Sequence, residues 1–550
     1  MRTRLILLPV ILACLTITRF AFADTCTARQ PQTISIVSTN DLHGALTGGV
    51  QSWSHNDAVG GVDWIAGYFD IVEEENPGGV VYLDAGDAFQ GTLISNQFFG
   101  ESTVDALNAM GLEAMAIGNH EFDWGLDALE NLRHIADFSF LAANIFTANS
   151  SWRCESHCHR NRPSWAKPYR MIQRKGVKLG IIGLANPATP SLTNPTVVEN
   201  LAFTDPVAAV EKYTPILRRR GADAIIVLAH IGGSWPDFDD GLGELACGLD
   251  ATTVDLIISG HSHSRIDDYI CDIPVVQSYS SGTAFSRVDM TVDPVKNRVT
   301  ALEMNSSPVT TYHTYYGNPA AYQRWDTGDW QDVVPDATVT SIVAEYAAEV
   351  EALQHLVIGE TADPITRNYR GESSMGDLVT DVMREATPEI DFALTNSGGL
   401  RANIDAGEIE YGDVYEALPF DNTLVLVSLS GDEVIAALEE GITGDHGVVQ
   451  VSGLAFSFDY DAAPGDRIDG DVIDLNTNTP IVGDVIYTVA VNDFMASGGD
   501  DYSVLALAPQ TDTYIPVRDL VVWWIQENSP FTPPRPTIEQ RIITRGTAPE

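Results

Sequence analysis

From Thr33 to Pro308, short apolar runs alternate with amphipathic stretches. The runs are dense in β-branched residues and flanked by Gly or Asp, which favours buried strands over pieces of helix. Several of the stretches between them repeat apolar residues at helical spacing. The predicted strands are Ile34–Thr39, Val80–Leu83, Ala114–Ile117, Leu179–Leu184, Ala224–Ala229 and Leu256–Ser259, and the predicted helices are Val62–Glu75, Ser102–Met110 and Pro206–Arg220. This alternation predicts a layered α/β domain over residues 33–308.

The pattern changes after Pro308. Residues 309–334 are rich in Tyr, Thr, Asn, Pro and Asp and have no clear periodicity, which indicates a connecting segment. Apolar residues then recur at helical spacing from Asp336 to His355, so we predict a linker helix that completes a connection over residues 309–355. A second domain is predicted over residues 356–550. Its predicted strands are Phe392–Thr395, Thr423–Leu429 and Val485–Val491.

Length and charge restrict the class of protein. A chain of 550 residues is long enough for two or three domains. With 44% apolar and 19% charged residues, its composition is that of a globular protein and excludes a disordered chain, a collagen or a coiled coil. The 76 acidic and 31 basic residues give a net charge of −45. Such a field repels polyanions, so we expect no nucleic-acid polymer as a partner.

The N-terminus has the form of an export signal. Two arginines precede an apolar run, Leu5–Ile17, and residues 21–23 form an A-x-A cleavage site. The run is too short for a stop-transfer helix, and no later stretch reaches about 18 apolar residues, so no transmembrane segment is expected. Residues 1–23 are therefore predicted to be a signal peptide of a periplasmic or secreted protein. The alternative is a lipoprotein anchored through Cys14, because residues 11–14 loosely resemble a lipoprotein processing box.

The remaining cysteines bear on stability. An exported protein can form disulfides, and we predict one between Cys247 and Cys271, which flank a Gly-His-Ser-His loop. The close spacing of Cys154 and Cys158 predicts a second disulfide in a surface loop, which leaves Cys26 free. The alternative for Cys154 and Cys158 is a metal site that includes the neighbouring histidines.

Side chains that can bind a metal follow the predicted strands of the first domain. In open α/β sheets the carboxyl ends of the strands form the ligand-binding crevice, so we expect these side chains to converge. The candidate donors are Asp41, His43, Asp87, Asn119, His120, His230, His261 and His263. Imidazole nitrogens with carboxylate and amide oxygens suit Zn, Mn, Fe or Co better than Ca. The set is large enough for two ions that share a carboxylate, whereas Asp84 lies within a strand and is interpreted as structural.

These residues resemble, in order and spacing, the motifs of the calcineurin-like metallophosphoesterases. The motifs are Asp41-x-His43, Gly86-Asp87, Gly118-Asn119-His120-Glu121, His230 and Gly260-His261-x-His263. The continuation Phe122-Asp123-Trp124-Gly125 narrows the resemblance to the 5′-nucleotidase branch, and it extends over nearly all of the chain after residue 23. The resemblance implies an N-terminal four-layer α/β metallophosphoesterase β-sandwich domain and a separate α+β C-terminal domain that binds the substrate.

The resemblance also implies roles for individual residues. One divalent ion, Zn, Mn or Co, would be held by Asp41, His43, Asp87 and His263, and a second by Asp87, Asn119, His230 and His261, with Asp87 shared between them. His120 would be a catalytic group that Asp123 orients. A protonated His120 can neutralise the charge that develops on the phosphoryl oxygens or on the leaving group.

The second domain carries motifs that match the nucleoside-binding domain of 5′-nucleotidases. They are Asn396-Ser397-Gly398-Gly399-Leu400-Arg401, Leu418-Pro419-Phe420 and the stretch from Asn492 to Asp500. By the resemblance, Phe420 and Phe494 sandwich the base, and Asp500 holds the ribose. Asn396 and Arg401 contact the base or other polar groups of the substrate. Arg370 is the nearest match to a further substrate arginine, and Arg367 is its rival because the spacing to the following motif differs by one from some relatives.

The sequence therefore predicts an exported two-metal phosphohydrolase that acts on nucleoside 5′-monophosphates. Further candidate substrates are UDP-sugars, other nucleoside diphosphates and 2′,3′-cyclic nucleotides. The alternatives are a 2′,3′-cyclic-nucleotide phosphodiesterase/3′-nucleotidase, a thiosulfohydrolase and a non-catalytic surface-binding protein. The phenylalanine pair argues against the thiosulfohydrolase, and the complete ligand set argues against the binding protein.

A movement between the domains is also expected. The predicted metal ligands and the predicted base-binding residues lie in different domains, so the substrate must bridge a cleft. Relatives in the resembling family are understood to rotate one domain against the other. Residues 326–328 before the linker helix and Gly359 after it are the candidate hinges.

Overall fold

The computed structural model describes residues 30–51, 53–147, 162–233, 241–305, 308–442 and 446–547. The predicted signal peptide, Cys14, Cys26 and the predicted pair of Cys154 and Cys158 lie outside these residues. Among the residues described, no helix combines the length and the apolar character that crossing a membrane requires.

The first sheet of the N-terminal domain has a parallel centre and an antiparallel edge. The parallel strands, in spatial order, are Gln32–Thr39, Val80–Asp84, Leu112–Ala116 and Ser139–Leu141. On the other side of Gln32–Thr39 lie, successively antiparallel, Ala284–Asp293 and Arg298–Met304. The short strand Val309–Thr310 also pairs with Ala284–Asp293.

The second sheet is parallel at its centre and antiparallel at both edges. Its strands, in spatial order, are Arg265–Ile270, Ile273–Ser278, Leu256–Ser259, Ala224–Ala229, Val177–Leu184 and Tyr169–Arg174. The six strands predicted from the apolar runs all lie in the parallel parts of these two sheets, whereas the interior strands Ile273–Ser278 and Ala284–Asp293 were not predicted. The candidate metal ligands follow the carboxyl ends of five of the predicted strands, and none follows Val177–Leu184.

The two sheets pack face to face, and helices cover their outer faces. Alternate residues of one strand serve different layers: Ile226 and Leu228 pack between the sheets with Ile34, whereas Val227 packs beneath the outer helices. Because both faces are buried, each strand reads as a continuous apolar run. The helices Val62–Glu75, Glu101–Ala109 and Gly125–Ile135 cover the first sheet, and Pro206–Arg219 and Gly241–Gly248 cover the second. The predicted four-layer α/β architecture is confirmed.

The linker helix, Ala337–Gln354, begins after Asp336, whose carboxylate accepts a hydrogen bond from the backbone N of Val339 at 2.8 Å. Its buried side chains belong to the core of the N-terminal domain. The segment before it is bound to the same domain, since the backbone N of Trp325 donates to Glu75 at 2.8 Å. Of the two predicted hinge positions, this packing favours Gly359 over residues 326–328, and the movement itself stays a prediction.

The C-terminal domain is built on a mixed sheet with a hydrophobic core on each face. The strands of this sheet, in spatial order, are Gln450–Ser452, Phe392–Thr395, Ile486–Asn492, Thr423–Ser430 and Gln510–Pro516. The main helices are Ser374–Glu385, Tyr411–Ala417, Gly431–Glu440 and Val517–Asn528. Smaller sheets are formed by Val357–Thr361 with Gly407–Glu410 and by Thr479–Pro480, Ile473–Asp474, Leu454–Asp459 and Ile542–Arg545. The predicted α+β class of this domain is confirmed.

A disulfide joins Cys247 to Cys271, as predicted, with 5.2 Å between their Cα atoms. It ties the end of the helix Gly241–Gly248 to the turn after the strand Arg265–Ile270. The closed loop contains His261 and His263, so the bond restricts the segment that carries two candidate metal ligands.

Replacing both cysteines with serine should lower the free energy of unfolding by about 3 kcal/mol, because the unfolded chain then loses the restriction of a closed loop. Chemical denaturation under non-reducing conditions measures the difference. The wild-type protein in reductant is the matched control and should approach the variant. Equal stability of the variant and the oxidised wild type would contradict this account of the disulfide.

Candidate active site

Five of the predicted metal ligands have a backbone conformation that L-residues rarely adopt. The φ angles of Asp41, His43, Asp87, His261 and His263 lie between 50° and 76°. Each residue lies two to four positions after the end of a strand, in the turn that follows it. Such residues cluster at functional sites because the surrounding structure compensates for their conformational cost.

The first candidate metal cluster consists of Asp41, His43 and His263, which offer ligand atoms within 4.8 Å of one another. The Nε2 atoms of His43 and His263 are 3.1 Å apart, and His263 Nε2 is 3.3 Å from Asp41 Oδ1. Asp41 is fully buried, so its carboxylate has no access to bulk water. The three residues come from two different sheets, which the sandwich brings together at one end.

The second candidate metal cluster consists of Asp87, His230 and His261, again with ligand atoms within 4.8 Å of one another. His230 Nε2 is 2.9 Å from Asp87 Oδ2 and 3.2 Å from Asn119 Oδ1. Asn119 therefore lies at the edge of this cluster, where the sequence predicted it. The sharing of Asp87 between two ions stays a prediction.

Backbone carbonyls orient two of the imidazoles. His43 Nδ1 donates to the carbonyl oxygen of Gln90 at 2.8 Å, and His230 Nδ1 donates to that of Ala85 at 2.9 Å. A carbonyl can only accept, so Nδ1 carries a proton in both rings, and Nε2 is the atom that each ring directs at its cluster. This is the arrangement that metal-binding histidines use.

The charge states also suit metal binding. Burial, reinforced by His263, holds the pKa of His43 well below its usual value, and burial with His230 lowers the pKa of His261 to about 3. Burial acts to raise the pKa of Asp41, but the nearby histidines outweigh it and lower the pKa to about 2. Neutral imidazoles at His43 and His261 beside the ionised Asp41 carboxylate are the ligand forms that divalent metals require. At His230, burial acts to lower the pKa, but Asp87 and Asp41 outweigh it and raise the pKa to about 10, so a metal bound there would displace the Nε2 proton. The donor set fits Zn, Mn or Co.

Close packing and backbone hydrogen bonds fix the loop that carries Asp87. A Cβ atom on Gly118 would lie 2.1 Å from Asp87 Oδ1, so only glycine fits there. The carboxylate of Glu121 accepts hydrogen bonds from the backbone N of Asp87, Ala88 and Gly118 at 2.9, 2.8 and 2.6 Å. Glu121 thus joins the Asp87 loop to the Asn119 loop. The Gly-Asn-His-Glu motif contained this residue, but its spacing gave no sign of the contact.

His120 lies beside the clusters without belonging to either. Its Nδ1 is 2.7 Å from Asp123 Oδ2, and Thr193 Oγ1 donates to the other oxygen of that carboxylate at 3.2 Å. Burial acts to lower the pKa of His120, but the carboxylates of Asp123 and Asp87 outweigh it and raise the pKa. The geometry therefore favours a protonated ring held in one orientation.

A single cleft of about 1870 Å³ opens between the two domains. The predicted site residues that line it are His43, Asp87, Asn119, His120, Asp123, His261, His263, Arg370, Asn396, Arg401, Phe420, Phe494 and Asp500. The other two, Asp41 and His230, are fully buried within the metal clusters. The structure thus brings every predicted site residue to one place.

On the C-terminal side, a chain of amides fixes the polar groups. Asn396 Nδ2 donates to Asp500 Oδ2 at 2.7 Å, and Asn492 Nδ2 donates to Asn396 Oδ1 at 2.9 Å. The ring of Phe420 is stacked on that of His120, with 5.5 Å between the centroids. The C-terminal domain therefore reaches the candidate catalytic group directly.

Two further residues at the cleft bear on substrate contacts. Arg367 Nη1 donates to the carbonyl oxygens of Leu400 and Arg401 at 3.0 and 2.8 Å, so this side chain supports the Arg401 loop. That role favours Arg370 over Arg367 as the substrate arginine, which stays a prediction. His446, which the sequence did not single out, lies 3.6 Å from Asp500 Oδ1.

Two family models match the chain. Residues 34–265 match the calcineurin-like phosphoesterase, and residues 357–507 match the 5′-nucleotidase C-terminal domain. The chain belongs to the 5′-nucleotidase family. Members of this family are metal-dependent hydrolases of nucleotide phosphoesters, and the two candidate metal clusters agree with that membership.

Individual 5′-nucleotidases resemble the chain over most of its length. A 5′-nucleotidase precursor of Thermus thermophilus is 29% identical with a TM-score of 0.79, over 93% of this chain and 99% of that one. The bovine 5′-nucleotidase is 26% identical over 87% of this chain and 85% of its own length. A cell wall protein of Listeria monocytogenes is 27% identical over 88% of this chain. The chain spans 66% of that relative and 38% and 32% of two longer Bacillus subtilis relatives.

Proposed function

We propose that this member of the 5′-nucleotidase family releases phosphate from nucleoside 5′-monophosphates. The observation that carries the proposal is the single cleft in which the metal clusters of one domain face Phe420, Phe494 and Asp500 of the other. A phosphate at the metals and a base between the two rings would be joined by the ribose, which matches the composition of a mononucleotide. Export of the enzyme is part of the proposal, and similarity to a cell wall protein supports it.

The proposed reaction is an in-line displacement at phosphorus, in which the oxygen of a water molecule replaces the ribose oxygen. When bound, two divalent ions held by the clusters supply Lewis-acid stabilisation of the phosphoryl group and lower the pKa of water. Asp123 accepts the Nδ1 proton of His120, so the Nε2 proton of the charged ring is the one available to the reacting group. This proton can stabilise a phosphoryl oxygen or pass to the leaving ribose oxygen as the P–O bond breaks.

The C-terminal domain supplies binding and orientation. Arg401 and Arg370 offer guanidinium donors to the phosphate, and Asp500 with Asn396 offers polar groups to the ribose and base. Stacking between Phe420 and Phe494 tolerates different bases, since every base has a π face. Several nucleoside monophosphates should therefore be accepted. With the same arrangement of binding groups, the proposed substrates also include UDP-sugars, other nucleoside diphosphates and 2′,3′-cyclic nucleotides.

Replacing both Phe420 and Phe494 with alanine should raise KM for AMP by about 10–100-fold, because stacking on both faces of the base is lost. Hydrolysis of p-nitrophenyl phosphate should change little, since this small ester has no base. Steady-state kinetics on both substrates tests the proposal.

The conservative double variant Phe420→Tyr/Phe494→Tyr is the matched control and should keep KM for AMP near the wild-type value. If the alanine variant loses activity on both substrates in proportion, the two rings are core packing and no base clamp exists. A panel of nucleotides with each divalent metal then ranks the substrates. Activity confined to 2′,3′-cyclic nucleotides would replace the monophosphate assignment by that of a cyclic-nucleotide phosphodiesterase.

A further inference from the structure

Two side-chain amides of the metal-binding domain converge on one carbonyl oxygen of the substrate domain. Gln90 Nε2 donates to the oxygen of Pro419 at 3.1 Å, and Asn96 Nδ2 donates to the same oxygen at 3.0 Å. Both side chains are buried in the contact between the domains, with 2% and 6% of their surface exposed. Pro419 directly precedes Phe420, so this contact fixes the backbone of the proposed base clamp.

The substrate domain holds the same loop from the opposite side. Arg518 Nη1 donates to the carbonyl oxygen of Leu418 at 3.0 Å and to that of Phe420 at 3.4 Å. Its Nη2 atom donates to the carboxylate of Asp421 at 2.5 Å. Successive carbonyls of this short loop are thus bound alternately by the two domains. Arg518 belongs to the same domain as this loop, and the oxygen of Pro419 is the atom of the loop that accepts from the two amides of the other domain.

On the metal-binding side, the two amides are fixed to a ligand loop. The backbone carbonyl of Gln90 is the acceptor that orients His43, at 2.8 Å from Nδ1. Asn96 Oδ1 accepts from the backbone N of Gly91 at 3.0 Å, which leaves its Nδ2 group directed at Pro419. The hydroxyl of Tyr415, in the helix Tyr411–Ala417 of the substrate domain, also contacts the Asn96 side chain. The segment that shapes one metal cluster therefore also carries the donors that cross the cleft.

We propose that Gln90 and Asn96 form a closure latch, in which both amides hold the Pro419 carbonyl and so position Phe420 beside His120. They are positioning residues, because they act on the substrate through Phe420. The inference rests on the proposed function in one respect, that a nucleotide has to be held by both domains at once. When the domains separate, each amide exchanges its protein acceptor for water, which changes an equilibrium only roughly 2- to 10-fold per bond. The latch is therefore reversible within a catalytic cycle.

Asn96→Asp is the sharpest test. The new carboxylate keeps the oxygen that accepts from Gly91, but it removes the donor and directs an oxygen at the Pro419 carbonyl. Gln97→Glu is the matched control, because it changes the charge equally at the next residue of the chain, where the side chain is exposed. Gln90→Ala is the second latch variant and provides the test if Asn96→Asp does not fold.

Small-angle scattering of the metal-loaded protein without nucleotide measures the separation of the domains, and steady-state kinetics measures KM for AMP. The latch predicts a larger radius of gyration and a KM raised about 10-fold for Asn96→Asp, with Gln90→Ala in the same direction. Gln97→Glu should match the wild type in both. A residue that only stabilised the fold would lower the melting temperature without opening the cleft. Rescue of the KM by Asn96→Gln would support the need for an amide donor.

Scattering curves of both latch variants that superimpose on the wild type, with an unchanged KM, would overturn the latch. The proposed function fails separately, if the wild type hydrolyses no nucleotide with any divalent metal. In that case the scattering comparison alone decides the latch, because it requires no turnover.

Discussion

Replacing Asp87 with asparagine should lower phosphate release by about 10³-fold and remove at least one equivalent of bound metal. Metal ions contribute several kcal/mol of charge stabilisation in such reactions, and Asp87 is the carboxylate that the family pattern shares between both ions. Asparagine keeps the oxygen that accepts from the backbone N of His120 at 2.8 Å, so the loop geometry should survive. The loss should exceed that of His263→Gln, which affects a single cluster.

Metal content by elemental analysis and phosphate release from AMP measure the two effects of this variant. Asp84→Asn is the matched control, because Asp84 is equally buried but accepts hydrogen bonds from Thr39 Oγ1 and from the backbone N of Gly86, outside the metal clusters. It should retain both metals. Undiminished activity of a chelated wild-type preparation would contradict the two-metal mechanism as a whole.

Replacing His120 with alanine should lower kcat by about 10²–10⁴-fold, the usual contribution of a general acid, and leave the metal content of the protein unchanged. The ring lies outside both clusters, and its Nδ1 is bound to Asp123. Asp123→Asn should reduce kcat less, because it disturbs the orientation of the ring and leaves the ring itself in place.

Elemental analysis of the His120→Ala protein separates the two possible roles. A catalytic group leaves the metal content at the wild-type value while kcat falls, whereas the loss of one equivalent of metal would identify His120 as a ligand. The variant should also keep the KM for AMP within a few-fold, since the proposed base and ribose contacts lie in the other domain.

The sequence predicted the centre of each sheet better than its edges. Strands such as Ala224–Ala229 are buried on both faces and stand out as apolar runs. The edge strand Arg265–Ile270 has charged residues at three of its four exposed or half-exposed positions, so its pattern gave no strand signal. The antiparallel strand Ala284–Asp293 was also missed, because Ser, Arg and Asp interrupt its apolar residues. Tertiary pairing, which no local pattern records, defines both strands.

At the candidate site, too, residues placed by the local sequence pattern were predicted and residues placed by tertiary packing were not. Ligands such as Asp41 and His230 were predictable because a strand end fixes their place along the chain. The sequence did not predict the roles of Glu121, Gln90 and Asn96, although their hydrogen bonds also fix loops of the site. Glu121 acts on three backbone amides in different loops, and the other two act on a carbonyl more than 300 residues away in sequence, with separations of 329 and 323. Such contacts depend on how the domains pack, which spacing within one motif does not determine.

The left-handed backbone conformation of five candidate ligands lowers the stability of the fold at positions that the proposed activity requires. Each such residue costs about 1–3 kcal/mol of backbone strain, which glycine at the same position would relieve. A selection for thermal resistance alone, carried out in the absence of metal, would therefore favour glycine at Asp41 or His263 and yield a robust but inactive protein. Stabilising this enzyme by directed evolution calls for keeping the metal present at every round, so that the ligands are retained by the binding energy they provide.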